Sequence, residues 1–228
     1  MDDFAQWLAV DKALTAANRP LRLRLAYPDG INDDVLLPQR ISGSETICGG
    51  FEYRILCVAT QVQLPLKQFI AVPAELQIVT DRGQLRRVCG IVAEACAGQS
   101  DGGLATYPLV LRDGLAVMEK RINTRVFRNK HELQIVQILL DEWRQGNSVL
   151  AASLDCAIDP ALAARTLPAR DFTMQHNESD AAFIRRLLSR RGIAWCFQAG
   201  APGSQHAAST PVHTLLLFDD ASGLVENA

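Results

Sequence analysis

The chain has 228 residues, 48% of them hydrophobic and 21% charged, which is enough apolar material for a sizeable core in one large or two modest domains. Its 23 basic and 25 acidic side chains are interleaved and sum to a formal net charge of −2, so no global field favours nucleic acid or an anionic membrane. No run approaches the roughly 20 apolar residues of a membrane-spanning helix, and the acidic start Met1-Asp2-Asp3 is unlike the basic start of a signal peptide, so the chain is expected to begin its life in the cytoplasm.

Residues 1–20 hold the first predicted element. Phe4, Trp7, Leu8 and Leu14 recur at helical spacing, Asp2 and Asp3 sit where a helix dipole favours acids, and Asn18 and Pro20 stop the pattern. The amphipathic helix this predicts packs on the strands after it or docks a neighbouring subunit. From 21 to 115 the texture changes to short apolar or alternating runs separated by turn residues. Leu21, Leu23 and Leu25 alternate with Arg22 and Arg24, Val35 to Leu37 stops at Pro38, and further runs occupy 51–60, 75–80, 85–95 and 105–111. Breaks fall at Pro28-Asp29-Gly30, Asp81-Arg82-Gly83 and Ser100-Asp101-Gly102-Gly103. Strands spaced this way predict a small antiparallel β-barrel, with a short helical or irregular crossover at 66–71.

Residues 116–198 are expected to form an α+β domain with two amphipathic helices. The first takes Asn129 and Glu132 as a capping box, turns Leu133, Val136, Leu139, Leu140 and Trp143 inward and ends at Gly146. The second lies in the stretch from Pro168 to Phe197. Asn177 and Asp180 read as its start, Phe183, Ile184, Leu187 and Leu188 as its buried face, and Gly192 as a left-handed terminator with Ile193 folding back. Ile193, Trp195 and Phe197 then alternate as a strand with one packed face. Residues 199–228 read as a Gly, Ala, Ser and Pro-rich loop followed by an apolar strand at 214–218 that needs a partner.

Chemistry-bearing residues are few. Ser179 and His176 beside Asp180 resemble pieces of a hydrolase triad, but Ser179 sits in a first helical turn rather than on a strand-to-helix elbow. Glu178 and Asp180 are acids where a helix start favours them, and neither Gly49-Gly50 nor Gly102-Gly103 has phosphate-binding spacing. No catalytic, cofactor-binding or metal-binding residue is therefore assigned, and no small-molecule substrate. The six cysteines, Cys48, Cys57, Cys89, Cys96, Cys156 and Cys196, contain no C-x-x-C pair and read as reduced, mostly buried small hydrophobes. Arg185, Arg186, Arg190 and Arg191 form the strongest local charge, either a solvated face or a contact for acids of a partner.

The run Gln175, Asn177, Glu178, Ser179, Asp180, then Phe183, Ile184, Arg186, Leu187, Leu188, then Gly192, Ile193 and Phe197 resembles the corresponding segment of the VgrG spike proteins of type VI secretion systems, which are related to the phage contractile-tail baseplate hub. Arg40 to Glu45, Phe51 to Tyr53, Cys89 to Val92 and Arg121 to Phe127 are similar to that family as well, although Asp113-Gly114 replaces its usual proline and aromatic. The resemblance implies that 21–115 is a first hub-type barrel, 116–198 its α+β domain and 199–228 the lead into a second barrel, with the family's neck and needle beyond. It also implies a non-enzymatic homotrimer at the tip of the contractile tube, contacting an Hcp-like tail-tube protein, the baseplate and effector proteins, and finally secreted through the apparatus. A truncated hub-fold binding adaptor without spike activity is the alternative.

Overall fold

The computed structural model describes residue 16 and residues 19–200 and 210–224. Apart from Ala16, the helix expected over 2–17 lies outside the described residues, as does 201–209 of the expected loop.

Seven strands form one antiparallel sheet: β1 (Leu21–Tyr27), β2 (Gly30–Asn32), β3 (Leu37–Thr46), β4 (Gly50–Ala59), β5 (Pro73–Val79), β6 (Leu85–Ala95) and β7 (Ala105–Arg112). Their order is β2-β1-β5-β6-β7-β4-β3, and the ladder ends at β2 and β3 without a hydrogen-bonded closure among the described residues. The structure is thus an open antiparallel sheet where the sequence suggested a closed barrel. It is strongly curled nevertheless. Leu23 and Leu25 of β1 share one core with Tyr53, Ile55 and Cys57 of β4, although three strands lie between β1 and β4 in the order. With neighbours about 4.8 Å apart, a flat sheet would hold those side chains too far apart to touch. The period-2 alternation of the sequence supplies this inner face, as in β7, where Ala105, Tyr107, Leu109 and Leu111 are all buried.

The strand read as stopping at Pro38 in fact begins at Leu37 and runs to Thr46, with a bulge between Pro38 and Arg40. β3 is the last strand of the sheet, so the amide proton that proline lacks is not missed. The crossover is a 3₁₀ turn at Leu66–Gln68.

The rest of the chain gives α1 (Gly114–Met118), β8 (Ile122–Lys130), α2 (Glu132–Gly146), α3 (Ser148–Ser153), β9 (Leu154–Ile158), α4 (Pro160–Ala164), β10 (Arg170–Ser179), α5 (Asp180–Arg191), β11 (Ala194–Ala199) and β12 (His213–Phe218). The two amphipathic helices are α2 and α5, and their apolar stripes meet in a second core with Ile135, Val136, Leu139 and Leu140 from α2 and Phe183, Ile184, Leu187 and Leu188 from α5. β8 and β10 make a two-stranded ribbon, while β11, β12 and β9 make a three-stranded sheet. The strand expected to leave the domain without a partner is the middle one of that sheet, antiparallel to β11 and parallel to β9. Parallel pairing with β9 is a long-range contact that the local pattern does not encode.

Both helix starts differ from their sequence reading in the same way. α2 is capped by His131, whose side chain accepts from the Gln134 amide at 3.4 Å while the His131 amide donates to the Gln134 side chain at 3.1 Å. α5 is capped by Ser179, which accepts from the Ala182 amide at 3.1 Å. Asn129 and Asn177, the residues expected to cap, lie two positions upstream inside β8 and β10 with φ of 50° and 46°. Asparagine tolerates the left-handed region as readily as it caps, so the same residue type fits either place. At Asn177 this conformation accompanies the irregularity in pairing between Gln175 and Glu178. The exit is as the sequence predicts: Gly192 sits at φ 66°, and the Ile193 amide donates to the Leu188 carbonyl at 3.0 Å.

Ser179→Ala should therefore lower stability by about 1 kcal/mol in urea unfolding, and Asn177→Gly should leave it unchanged or raise it, because glycine holds positive φ at no steric cost. Equal losses from the two variants would refute the cap at Ser179.

Candidate functional site

The most densely organised polar site lies where the ribbon meets α2 and α5. Asp180, the first residue of α5, has a side chain with 0% exposure. Its Oδ2 accepts from Arg121 Nε at 2.6 Å and from Trp143 Nε1 at 2.8 Å. Its Oδ1 accepts from Gln175 Nε2 at 2.8 Å, Asn123 Nδ2 at 3.1 Å and Arg125 Nη2 at 3.4 Å. The guanidinium of Arg121 lies over the Trp143 ring at 4.5 Å, and Arg125 Nη1 donates to Glu142 Oε2 at 2.7 Å. Three of these residues, Arg121, Asn123 and Arg125, come from β8 or its lead-in at alternate positions, which is how a strand presents one face to a helix. Burial alone pushes the Asp180 carboxyl up, but the hydrogen bonds from Gln175, Asn123, Arg121 and Trp143 outweigh it and hold the group below its ordinary value.

A second buried acid braces the other end of the ribbon. Glu132 at the start of α2 also has 0% exposure, with Arg170 at 2.9 Å and Arg191 at 2.6 Å. Burial raises its carboxyl, and the two arginines reverse that to a net lowering.

A third polar group joins the curled sheet to the three-stranded sheet. The buried Asp113 carboxylate accepts from the Phe51 amide at 3.1 Å and the Leu115 amide at 2.9 Å, and the Gly114 amide donates to His213 Nε2 at 2.8 Å. A Cβ on Gly50, which sits at φ 81°, would lie 2.4 Å from Asp113 Oδ2, so this close approach requires glycine. Because Nε2 accepts, His213 is neutral with its proton on Nδ1, and complete burial pushes its pKa down to about 3. Asp113 is pushed up by burial, which its two amide donors only partly offset. Phe197 packs against both cores and edge-on to Phe51 at 5.7 Å, completing the joint.

The residues singled out in the sequence do not all meet at one place. Gln175, Ser179 and Asp180 converge on the start of α5, and Phe183, Leu187 and Leu188 are core. Asn177 is exposed, its amide donating to Thr124 Oγ1 at 3.0 Å, and Glu178 pairs with Arg186. The arginine cluster is not a free cationic face: Arg185 pairs with Glu119 at 2.9 Å, Arg186 with Glu178 and Arg191 with Glu132, leaving Arg190 exposed. His176 is exposed, and the hydroxyl of Ser179 is engaged as a cap. Cys57 and Cys89 are buried with thiols pushed up to about 12 by burial, whereas Cys48 and Cys96 are exposed against expectation. Sequence reasoning missed the roles of Arg121, Asn123, Arg125, Glu142, Arg170, Asp113 and His213. The alternation Arg121, Asn123, Arg125 was the available signal, a polar stripe on the strand face that the following helix has to cover.

With five donors on its two oxygens, Asp180 has no lone pair turned toward a substrate, and the site reads as a brace. Among the described residues no three His, Cys, Asp or Glu side chains group as metal ligands. The sequence matches the phage tail baseplate hub family, GPD, over residues 44–228. The chain belongs to that family. Among curated relatives it is 25% identical over 202 residues to the type VI secretion system spike protein VgrG3 of Vibrio cholerae, covering 85% of this chain and 18% of the relative. It is 29% identical over 192 residues to spike protein VgrG4b of Pseudomonas aeruginosa, covering 84% and 21%, and 28% identical to the actin cross-linking toxin VgrG1 of V. cholerae, covering 87% and 17%. The chain thus spans only about a fifth of the length of these relatives. Among solved structures, the hub fold recurs in an E. coli protein described as a component of the type VI secretion system with structural similarity to the T4 tail proteins gp27 and gp5, with TM-score 0.69, 19% identity, and coverage of 90% of this chain and 50% of that one. A tail protein from Neisseria meningitidis matches at TM-score 0.51 and 12% identity, over 86% and 50%.

Two predictions test the energetics of this hub site. Asp180→Asn removes the buried charge and an acceptor from the cluster, leaving Arg121 and Arg125 only Glu142 as a counter-charge, and should cost about 1–3 kcal/mol in urea unfolding, whereas Glu52→Gln at the exposed Arg54 pair should cost less than about 1 kcal/mol. His213 favours the folded state only when neutral, so its contribution is complete above pH 6.5 and is lost as pH falls toward 3, at about 1.4 kcal/mol per pH unit. Stability measured between pH 7 and pH 4.5 should fall in the native protein, and His213→Gln should flatten that slope.

Proposed function

We propose that this chain is the N-terminal hub region of a type VI secretion spike of the VgrG kind and acts as a structural component. The observation that carries this is the hub-family match along residues 44–228 together with the retention of the fold of a type VI secretion component over 90% of the chain. The brace at Asp180 supports it, since the polar residues of the family-like run are spent on holding helices and ribbon together.

On this reading three copies assemble around the axis of the contractile tube. The curled sheet of residues 21–115 faces the tail-tube protein, and residues 116–198 with β12 pack outside it. The assembly binds the tube protein and baseplate, carries effectors, and leaves the cell through the apparatus after being made in the cytoplasm. No helix among the described residues is long and apolar enough to cross a membrane, which accords with transit as cargo of the tube. The toxin activity in the name of one relative belongs to that protein, and this region has a scaffolding role.

The mass of the full-length protein in solution tests the reading. Light scattering should give three times the chain mass, and deletion of residues 44–228 should abolish both trimer and secretion. A full-length protein that remains monomeric overturns the spike and favours a hub-fold adaptor.

A further inference from the structure

The ribbon formed by β8 and β10 has one face packed on α2 and α5 and one face turned to solvent. The outer face carries Ile122 at 64% exposure, Val126 at 50%, Phe172 at 65% and Met174 at 41%. Val126 and Met174 stand directly opposite one another, and Phe172 stands opposite Arg128. Strand alternation puts Thr124 and Arg128 on the same face, and Lys130 follows at the end of the strand after the left-handed Asn129. Val126, Met174 and Phe172 are cross-strand or diagonal neighbours and form an exposed apolar patch, with Ile122 farther along β8, of a kind that a monomeric protein rarely leaves unless it is used. The charged residues at this end of β8, Arg128 and Lys130, are basic and make no ion pair among the described residues, whereas Arg121, Arg125 and Arg170 pair with acids.

The two edges of the ribbon differ. Arg186 Nη2 donates to the Met174 carbonyl at 2.9 Å, so the β10 edge is closed by α5. That carbonyl therefore points away from β8, which makes Met174 and Val126 a pair that exchanges no main-chain hydrogen bonds. The amide and carbonyl of Val126 must then turn away from β10 as well, and by the same alternation so do those of Thr124 and Arg128. β8 has no second strand beside it among the described residues. An edge of this kind, beside an apolar and cationic face, is built to receive another strand.

We infer that the β8 edge and the outer face formed by Val126, Phe172 and Met174 are a docking site for an extended acidic and apolar segment of another polypeptide, added as a third strand. Charge complementarity chooses the occupant: alternating aliphatic side chains cover the patch, and carboxylates meet Arg128 and Lys130. This inference does not rest on the spike reading.

The test uses the native chain and an eight-residue peptide alternating isoleucine and glutamate, blocked at both ends, with binding followed by fluorescence anisotropy. Binding is expected that weakens as salt rises, since exposed charges are screened within about 10 Å at 0.1 M. It should fall about tenfold or more in Val126→Glu and in Phe172→Glu, whose exposed positions leave the melting temperature unchanged. The same peptide with lysine for glutamate should not bind, and N-methylation of alternate amides should abolish binding if the third strand pairs with β8. Absence of binding, or binding indifferent to both substitutions, overturns the inference. Loss of binding on substitution but not on N-methylation overturns strand addition. If the native chain instead self-associates through this face and Phe172→Glu makes it monomeric, the occupant is a second copy and the acidic segment is ruled out.

Discussion

A carboxylate fully removed from water is unfavourable unless its charge is met from several directions, and Asp180 is met by two arginines, an amide from each ribbon strand and an indole. These donors come from three separate parts of the chain: Arg121 to Arg125 from β8 and its lead-in, Trp143 from α2, Gln175 from β10. The ion therefore specifies how ribbon and helices sit together, because a shift of any element would leave a buried charge short of partners. Such a cluster contributes less to net stability than its contact distances suggest, since the Coulombic gain is largely offset by desolvation. What it strongly disfavours is any alternative packing.

The same device appears at Glu132, and a related one, with backbone amides as the donors, at Asp113 and His213. At the latter joint the two donors to Asp113 and the acceptor of the Gly114 amide come from the curled sheet, α1 and β12, so that one buried polar group connects the two cores. Phe197 and Phe51 fill the space around it. Two cores of different construction, one wrapped by antiparallel strands and one made by helices, are in this way joined by a few directional hydrogen bonds set among the apolar contacts of Phe51, Ile91 and Phe197.

Directional polar contacts fix the relative orientation of packed elements better than non-directional apolar burial does. The arginines of α5 take part in the same kind of intrachain pairing. Three of the four cations pair with acids of the same chain, and unpaired cations with apolar neighbours lie on the ribbon.

The sequence by itself determined the strand texture of the first half, both amphipathic helices with their buried stripes, the glycine stop at Gly192 and the family, because each of these is written in local periodicity and residue type. It misplaced the helix starts by two residues, since asparagine serves equally as a cap or as a left-handed strand residue and only the continued pairing of β8 with β10 distinguishes them. It missed β9, and with it the central place of β12, because a parallel pair separated by more than fifty residues leaves no local trace. Only the tertiary structure decided that the curled sheet ends at β2 and β3, and that Asp180, read from the sequence as an acid favoured at a helix start, is the centre of a buried brace. The physical reason is the same throughout: period and propensity act over a few residues, whereas the partners of a buried charge are chosen by the fold as a whole.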